Sequence, residues 1–231
     1  MANKSEVESV NIDFHAHVLP GADHGSAGLE ASLKQIELAA QAGVDVLIAT
    51  PHFYPRQESP EAFFARREET AALLRENLPE KAPRLLIGSE THLCRGLQNM
   101  ENLERLCVEG TKVLLLELPA DFSVRAYEST VEGLLFERKM TVVLAHIDRY
   151  SPQIVNFLME LGFFAQINAE AFCRLRMRRR AAAYLSDPRI VALGSDIHGL
   201  SVGYRDFIKM RCRIGADYDA VMKRTAQLLK L

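Results

Sequence analysis

No apolar stretch in this chain approaches the roughly 20 residues that a membrane-spanning helix requires, so no membrane insertion is expected. An excess of either charge is equally absent: the formal net charge over 231 residues is −2, which gives no electrostatic reason to expect nucleic acid or an anionic bilayer as the main partner. Cysteine is sparse too. Cys94, Cys107, Cys173 and Cys212 lie far apart, with neither CxxC pairing nor the density of a disulfide scaffold, and read as small buried apolar residues. Residues 1–10 are polar and acidic, without the apolar core of a secretory signal, and a cytoplasmic location is expected. There is no Gly/Ser-rich or Pro-rich linker, low-complexity tract or domain-scale repeat, so a single domain over 1–231 is expected.

What the chain does have is histidine in informative places. Asp13-Phe14-His15-Ala16-His17 ends an apolar run with two imidazoles two residues apart, which an extended chain points to the same side. His24, His52, His92, His146 and His198 complete the seven, most of them beside turn residues that follow an apolar run. One thiol spacing needs separate treatment. Cys173 and Arg179 stand at the Cys-x5-Arg distance of thiol-dependent phosphatases, in which a loop of backbone N–H groups cradles phosphate. Here the interval is Arg-Leu-Arg-Met-Arg, with no glycine, and the run through Arg180 into Ala181-Ala182-Ala183 reads as helix. The spacing is therefore taken as coincidence and the arginines as a solvated face.

Seven short runs rich in Val, Ile, Leu and Phe recur at 10–15, 44–50, 84–89, 112–118, 141–146, 163–168 and 190–195, as expected for strands buried on both faces of a parallel sheet. Between them lie helical stretches. Leu29, Leu33, Ile36, Ala39 and Ala40 share one helical face that Gly43 ends, and Ser59-Pro60 starts a second helix running toward Pro79. Further helices are expected over 99–107, 123–138, 151–161, 171–185 and 216–229. Strand followed by helix, repeated, predicts a parallel α/β sheet with right-handed crossovers, which an open doubly wound sheet also satisfies.

The polar residues favour a barrel over that open sheet. The expected strands end at His15 and His17, at His52, at Glu90, at Glu117, at His146, and at Asp196 and His198. A barrel brings such ends to one face, whereas an open sheet spreads them along an edge. A single histidine after a strand is more often a hydrogen-bonded turn or core residue than a ligand. So many together point instead to metal, the more so because Glu117 stands inside the apolar run 114–118, where an unpaired carboxylate is costly. Imidazole and carboxylate suit zinc, manganese and iron. At roughly three or four protein ligands per ion, the set His15, His17, His24, His52, Glu90, Glu117, His146, Asp196 and His198 implies two or three ions. His92 is left as a supporting or surface residue.

The segments DFHAHVLPGADHG, ATPHFYP, GSE, LLLELP, LAHIDRY and GSDIHG, in this order, resemble the polymerase and histidinol phosphatase (PHP) superfamily. Within it the chain is most similar to the metal-dependent protein-tyrosine phosphatases of bacterial capsule and exopolysaccharide loci, the CpsB/YwqE type, from about Asp13 to Arg205. The resemblance implies a distorted seven-stranded (β/α)7 TIM-like barrel and a trinuclear site, with manganese as the first choice of metal and iron or zinc as alternatives. By the motif match, His15 and His17 would hold one ion with Glu117 and Asp196. Glu90 and His146 would hold a second, with Glu117 as a bridge. His52 and His198 would hold a third, with a residue of the loop after strand one. That loop is the main departure: the family has Asp-Asp-Gly where this chain has Asp23-His24-Gly25, so His24 stands at the ligand position and Asp23 is in reserve. Smaller departures are Ile147-Asp148 for Pro-Glu and Gly199 for a frequent asparagine.

The resemblance further implies phosphoester hydrolysis, with a phosphotyrosyl protein of capsule or exopolysaccharide synthesis, such as a bacterial tyrosine autokinase, as partner. The expected nucleophile is a hydroxide bridging the metals, since clustered ions neutralise phosphate and no protein nucleophile is needed. Arg149, three residues after His146, and Arg205, after His198, are the expected catalytic arginines, with a surface ion pair as the plainer alternative for each. Phe53 and Tyr54 face either an aromatic substrate ring or the packing of a long loop. A tyrosyl leaving group, with a pKa near 10, needs little protonation, which fits the lack of an obvious general acid. Histidinol-phosphate phosphatase is the enzymatic alternative. An inactive regulatory binding module is the alternative of another class, resting on His24 alone, and a homo-oligomer stays open.

Overall fold

The computed structural model describes residues 10–200 and 204–231, so nearly all of the acidic N-terminal segment lies outside the described residues. The first half comprises β1 (Ile12–His17), α1 (Leu29–Gln41), β2 (Val46–Ala49), β3 (His52–Phe53), α2 (Pro60–Glu76), β4 (Arg84–Ile87), β5 (Glu90–His92) and β6 (Val113–Glu117). The second half comprises α3 (Val124–Glu132), β7 (Thr141–Leu144), α4 (Pro152–Glu160), β8 (Phe164–Asn168), α5 (Ala169–Cys173), α6 (Leu175–Tyr184), β9 (Ile190–Gly194), β10 (Ile197–His198), α7 (Arg205–Ile214) and α8 (Ala216–Leu229).

Every strand pair is parallel, as the strand-helix alternation requires. One sheet has the order β10-β1-β2-β4 and the other β3-β5-β6-β7-β8-β9. The apolar side chains of both sheets contribute to the core, in which Phe14, Leu47, Leu114, Val142, Ile167 and Leu193 are fully buried. Three of the seven expected strands, over 44–50, 84–89 and 190–195, end close to those bounds, and parallel pairing then resumes beyond a short break. Pro51, which has no N–H for a ladder, separates β2 from β3. Gly88-Ser89 separates β4 from β5, and Ser195-Asp196 separates β9 from β10, with Asp196 in the left-handed region at φ 49°. The first two breaks are followed directly by His52 and Glu90, and the third by Ile197 and then His198.

Helix boundaries follow local chemistry where it is strong. The Ser59 hydroxyl accepts from Ala62 N at 3.2 Å and Pro60 opens α2. Gly43 takes φ 74° just past α1. The helix expected over 99–107 is instead two 3-10 turns, at 97–99 and 103–106, with Asn102 in the left-handed region between them. The stretch 123–138 begins as α3 and finishes in a π-helical turn over Gly133–Glu137. The stretch 171–185 breaks where Arg174 adopts an extended conformation. Helix α7 was not expected, because only Phe207 and Met210 among its charged residues reach the core. No helix among the described residues is long and apolar enough to cross a membrane.

Candidate metal centre

Period-two geometry on β1 sends His15 and His17 to the same side, both wholly buried, with their Nε2 atoms 3.0 Å apart. Parallel register sets His17 beside His198, His52 beside Glu90, and His92 beside Glu117. Glu90 is the hub. Its Oε2 lies 3.1 Å from His15 Nε2, 3.2 Å from His17 Nε2 and 3.0 Å from His52 Nδ1, and its Oε1 lies 2.7 Å from His146 Nε2. Asp196 Oδ1 is 3.6 Å and 3.5 Å from the Nε2 atoms of His15 and His17, and 3.4 Å from His198 Nδ1. Glu117 is more peripheral, 3.7 Å from His146 Nε2.

These side chains offer three groups of donor atoms within 4.8 Å of one another: His15, His17, Glu90 and Asp196; His52, Glu90 and Glu117; and His17, His52 and His198. The mixture of imidazole nitrogen and carboxylate oxygen fits a first-row divalent cation. The contacts argue for the same fit. Neighbouring imidazole nitrogens 3.0 Å apart beside one carboxylate leave lone pairs facing lone pairs unless protons or cations stand between them.

The electrostatics of these groups are set by the same crowding. Burial is the largest influence on His15 and opposes its charge, but Glu90 and Asp196 outweigh it and hold its pKa above the usual 6.5. For His17, burial is again outweighed, by Asp196, Asp23 and Glu90, and the pKa lies well above 6.5. Burial raises the pKa of Glu90 and of Asp196, yet the imidazoles win and both lie below the usual carboxylate range. His198 goes the other way, pushed down to about 4 by burial and by His17 beside it.

The remaining expected residues divide sharply. His24 is exposed and stacks on His52 and His198, with ring centroids 4.7 Å and 4.6 Å away, but belongs to none of the three donor groups. Asp23 does not join them either. Its Oδ2 meets His17 Nδ1 at 2.7 Å and accepts from His52 N at 2.9 Å, so it orients two imidazoles from behind. Arg149 donates to Asp196 Oδ2 at 2.6 Å from a half-exposed side chain. Arg205 heads α7 with 69% of its side chain exposed, and the contact recorded for it is Asp206 at 3.6 Å. Tyr54 stacks on His52 at 5.2 Å and approaches His92 at 5.6 Å, whereas Phe53 packs on Phe63 at 4.7 Å. The Cys173 thiol approaches the Asp206 carbonyl, and burial and Asp206 push its pKa up, the opposite of an activated thiolate.

Several supporting residues escaped the sequence reading. Gln166 Oε1 accepts from His146 N at 2.6 Å, its amide donates to Asn168 Oδ1 at 2.8 Å, and Asn168 donates to Asp196 Oδ2 at 2.9 Å. Asp13 accepts from Ser195 N at 2.8 Å and so ties β1 to the break before Asp196. The available signal was polarity inside the apolar runs 10–15 and 163–168, weaker than that of Glu117 because amides and a single Asp are common at strand ends.

Parallel strands whose carboxyl ends gather imidazoles and carboxylates into shared donor groups define an α/β protein with a candidate multinuclear metal centre. The family described as capsular polysaccharide synthesis, CpsB/CapC, matches residues 11–206, and the chain belongs to it. It is 27% identical over 167 residues to the tyrosine-protein phosphatase YwqE of Bacillus subtilis, a match covering 68% of this chain and 64% of that relative, just under two thirds of its length. A solved structure reported for YwqE of Bacillus subtilis and CpsB of Streptococcus pneumoniae, described as metal-dependent tyrosine phosphatases, superposes with a TM-score of 0.78 at 21% identity, covering 95% of this chain and 94% of that one. A TatD-like protein from Archaeoglobus fulgidus shares the fold more distantly, at a TM-score of 0.53 and 15% identity over 95% of this chain and all of the other.

Proposed function

We propose that the chain is a metal-dependent phosphatase acting on phosphotyrosyl protein. The observation that carries this reading is an open cavity of about 550 Å³ whose wall includes Glu117 and His146 of the donor cluster together with Tyr54, Phe122, Arg149 and Tyr150. His15, His17, Glu90 and Asp196 would hold one cation; His52, Glu90 and Glu117, with His146 alongside, a second; and His198, beside His52 Nε2, would serve a third, because the one free nitrogen of His17 cannot serve two ions. Manganese suits the carboxylate-rich groups, with iron or zinc as alternatives. When bound, such ions neutralise the phosphate and lower the pKa of water toward neutrality.

The protein's own groups do the positioning. Arg149, anchored on Asp196, presents a guanidinium to the cavity for the phosphate oxygens. Tyr54, Phe122 and Tyr150 supply an aromatic wall for a tyrosyl ring. Burial, with Glu117 and Glu90, pushes the Tyr54 hydroxyl up to about 12, so it stays protonated and can donate to a phosphate oxygen. Tyr150 holds the rim in place by accepting from Leu118 N at 3.0 Å.

The same reading treats β2 with β3, β4 with β5, and β9 with β10 as three kinked strands. The ladder then runs through seven strands from β1 round to β10 and back to β1, as one barrel in a single domain. A phosphotyrosyl protein of capsule synthesis, such as a tyrosine autokinase, would be the partner. The test is hydrolysis of an aryl phosphate, a phosphotyrosyl peptide and histidinol phosphate, each with chelator and then with manganese restored. Turnover of the first two that vanishes with chelator and returns with manganese is expected. Turnover indifferent to chelator would overturn the reading, and metal binding without any turnover would favour the inactive module.

A further inference from the structure

Residues 174–180 place five arginines in seven positions of a chain whose net charge is only −2, and the reaction proposed above uses none of them. Their position is specific. Helix α5 starts directly after Asn168, which touches Asp196, and α6 follows it. At the far end of the run Arg180 donates to the backbone carbonyl of Asp148, in the turn that carries Arg149 into the cavity. One turn of helix is about 5.4 Å, so the preceding arginines begin a single turn from that contact.

Little in the protein neutralises them. Arg174 pairs with Glu170, but Arg176, Arg178 and Arg179 are exposed and make no ion pair among the described residues. The arrangement also works against the helix that carries it. Helix α6 has no acidic residue in its first turn, where cations oppose the helix dipole, and arginines at 174, 176, 178 and 180 repel one another at i,i+4 spacing. Only Ala181 of α6 is buried, and Leu175 is 83% exposed beside the arginines. An anionic partner would offset both costs.

We infer that the exposed Arg176–Arg178–Arg179 face of α6, with Leu175, docks an acidic stretch of the phosphotyrosyl polypeptide next to the tyrosine being processed. The inference rests on the proposed phosphatase reading for the identity of the partner. Because Arg180 bonds the turn that carries Arg149, residues a few positions from a phosphotyrosine in the cavity, at up to about 3.5 Å of reach per residue, are the part of the partner that would meet this face. An anionic bilayer has no such link to the cavity.

The test is fluorescence anisotropy on the metal-loaded protein, using two labelled peptides with a non-hydrolysable phosphotyrosine mimic, one flanked by Asp and Glu and one by Ser and Gly. The wild type should bind the acidic peptide about tenfold more tightly at low salt, and the preference should fade as salt is raised. Substituting Arg176→Gln, Arg178→Gln and Arg179→Gln together should abolish the preference, and lysine at the same three positions should restore most of it. Turnover of a small aryl phosphate should be unchanged in both variants, which also reports an intact fold. Equal affinity for the two peptides in the wild type, or an undiminished preference in the Gln variant, overturns the inference. So does Arg-dependent binding to phosphatidylserine vesicles without peptide preference, which would assign the face to a membrane. If the wild type hydrolyses no phosphoester, the phosphatase reading fails while the peptide comparison still decides this one.

Discussion

Glu90 touches four imidazoles while its side chain is entirely buried, so its charge has no solvent to fall back on. Replacing it with Gln keeps the shape and removes the charge that balances His15, His17, His52 and His146. Glu90→Gln should lose bound metal, read as metal per chain after gel filtration, and should lower phosphatase turnover by about 100-fold or more. Glu117→Gln should cost less, because that carboxylate is 22% exposed and reaches His146 at 3.7 Å. A larger metal loss from Glu117 than from Glu90 would restore Glu117 as the central bridge. The sequence points to Glu117 because a carboxylate amid leucines is conspicuous. Glu90, after Gly88-Ser89, looks like a turn residue, and its central place depends on its register beside His52. His15 and His17 were legible from period two alone. The supporting role of Asp23 was not, because it depends on how the loop folds back over β1.

The breaks within strands matter as much as the strands. Gly194 closes β9 where a Cβ would meet His15 Cβ at 2.6 Å and Gln166 Nε2 at 2.8 Å, so glycine there lets β9 press against the ligand-bearing strand. Gly194→Ala should destabilise the fold by about 1–3 kcal/mol and weaken metal retention together, measured by thermal melting with and without added manganese. A change in melting with full metal retention would mean that the centre tolerates movement of β1. By contrast, Ser59→Ala should remove the α2 cap at a cost of about 1 kcal/mol and leave metal content unchanged. Such strong local chemistry made α2 and the end of α1 readable in the sequence. Helix α7 and the turns at 97–106 were not, since tertiary packing of a few apolar residues decides them. The strand interruptions also escaped: a proline or Gly-Ser after an apolar run marks its end, but not that pairing resumes two residues later.

Across the whole molecule the centre couples folding to pH, and removal of metal should expose that coupling. With chelator present, the groups titrate as the protein alone dictates. His15 and His17 have folded pKa values above the usual 6.5, so the stability they contribute is complete below 6.5 and declines as pH rises through the folded values. His198 behaves oppositely. Its folded pKa of about 4 means that the unfolded chain binds its proton more readily, so its contribution grows as pH rises from 4 to 6.5. Glu90 and Asp196, held below the usual carboxylate range, add stability that is lost only as pH falls through their depressed values. These signs meet near pH 6.5, where the chelated protein should melt at its highest temperature. The metal-loaded protein should follow another course, because cations displace the protons of His15 and His17 and bind more tightly as pH rises. The melting-temperature difference between loaded and chelated protein should therefore widen from pH 6 to pH 8. A difference that stays constant or narrows over that range would show that the cation does not bind at the protonated imidazoles of β1.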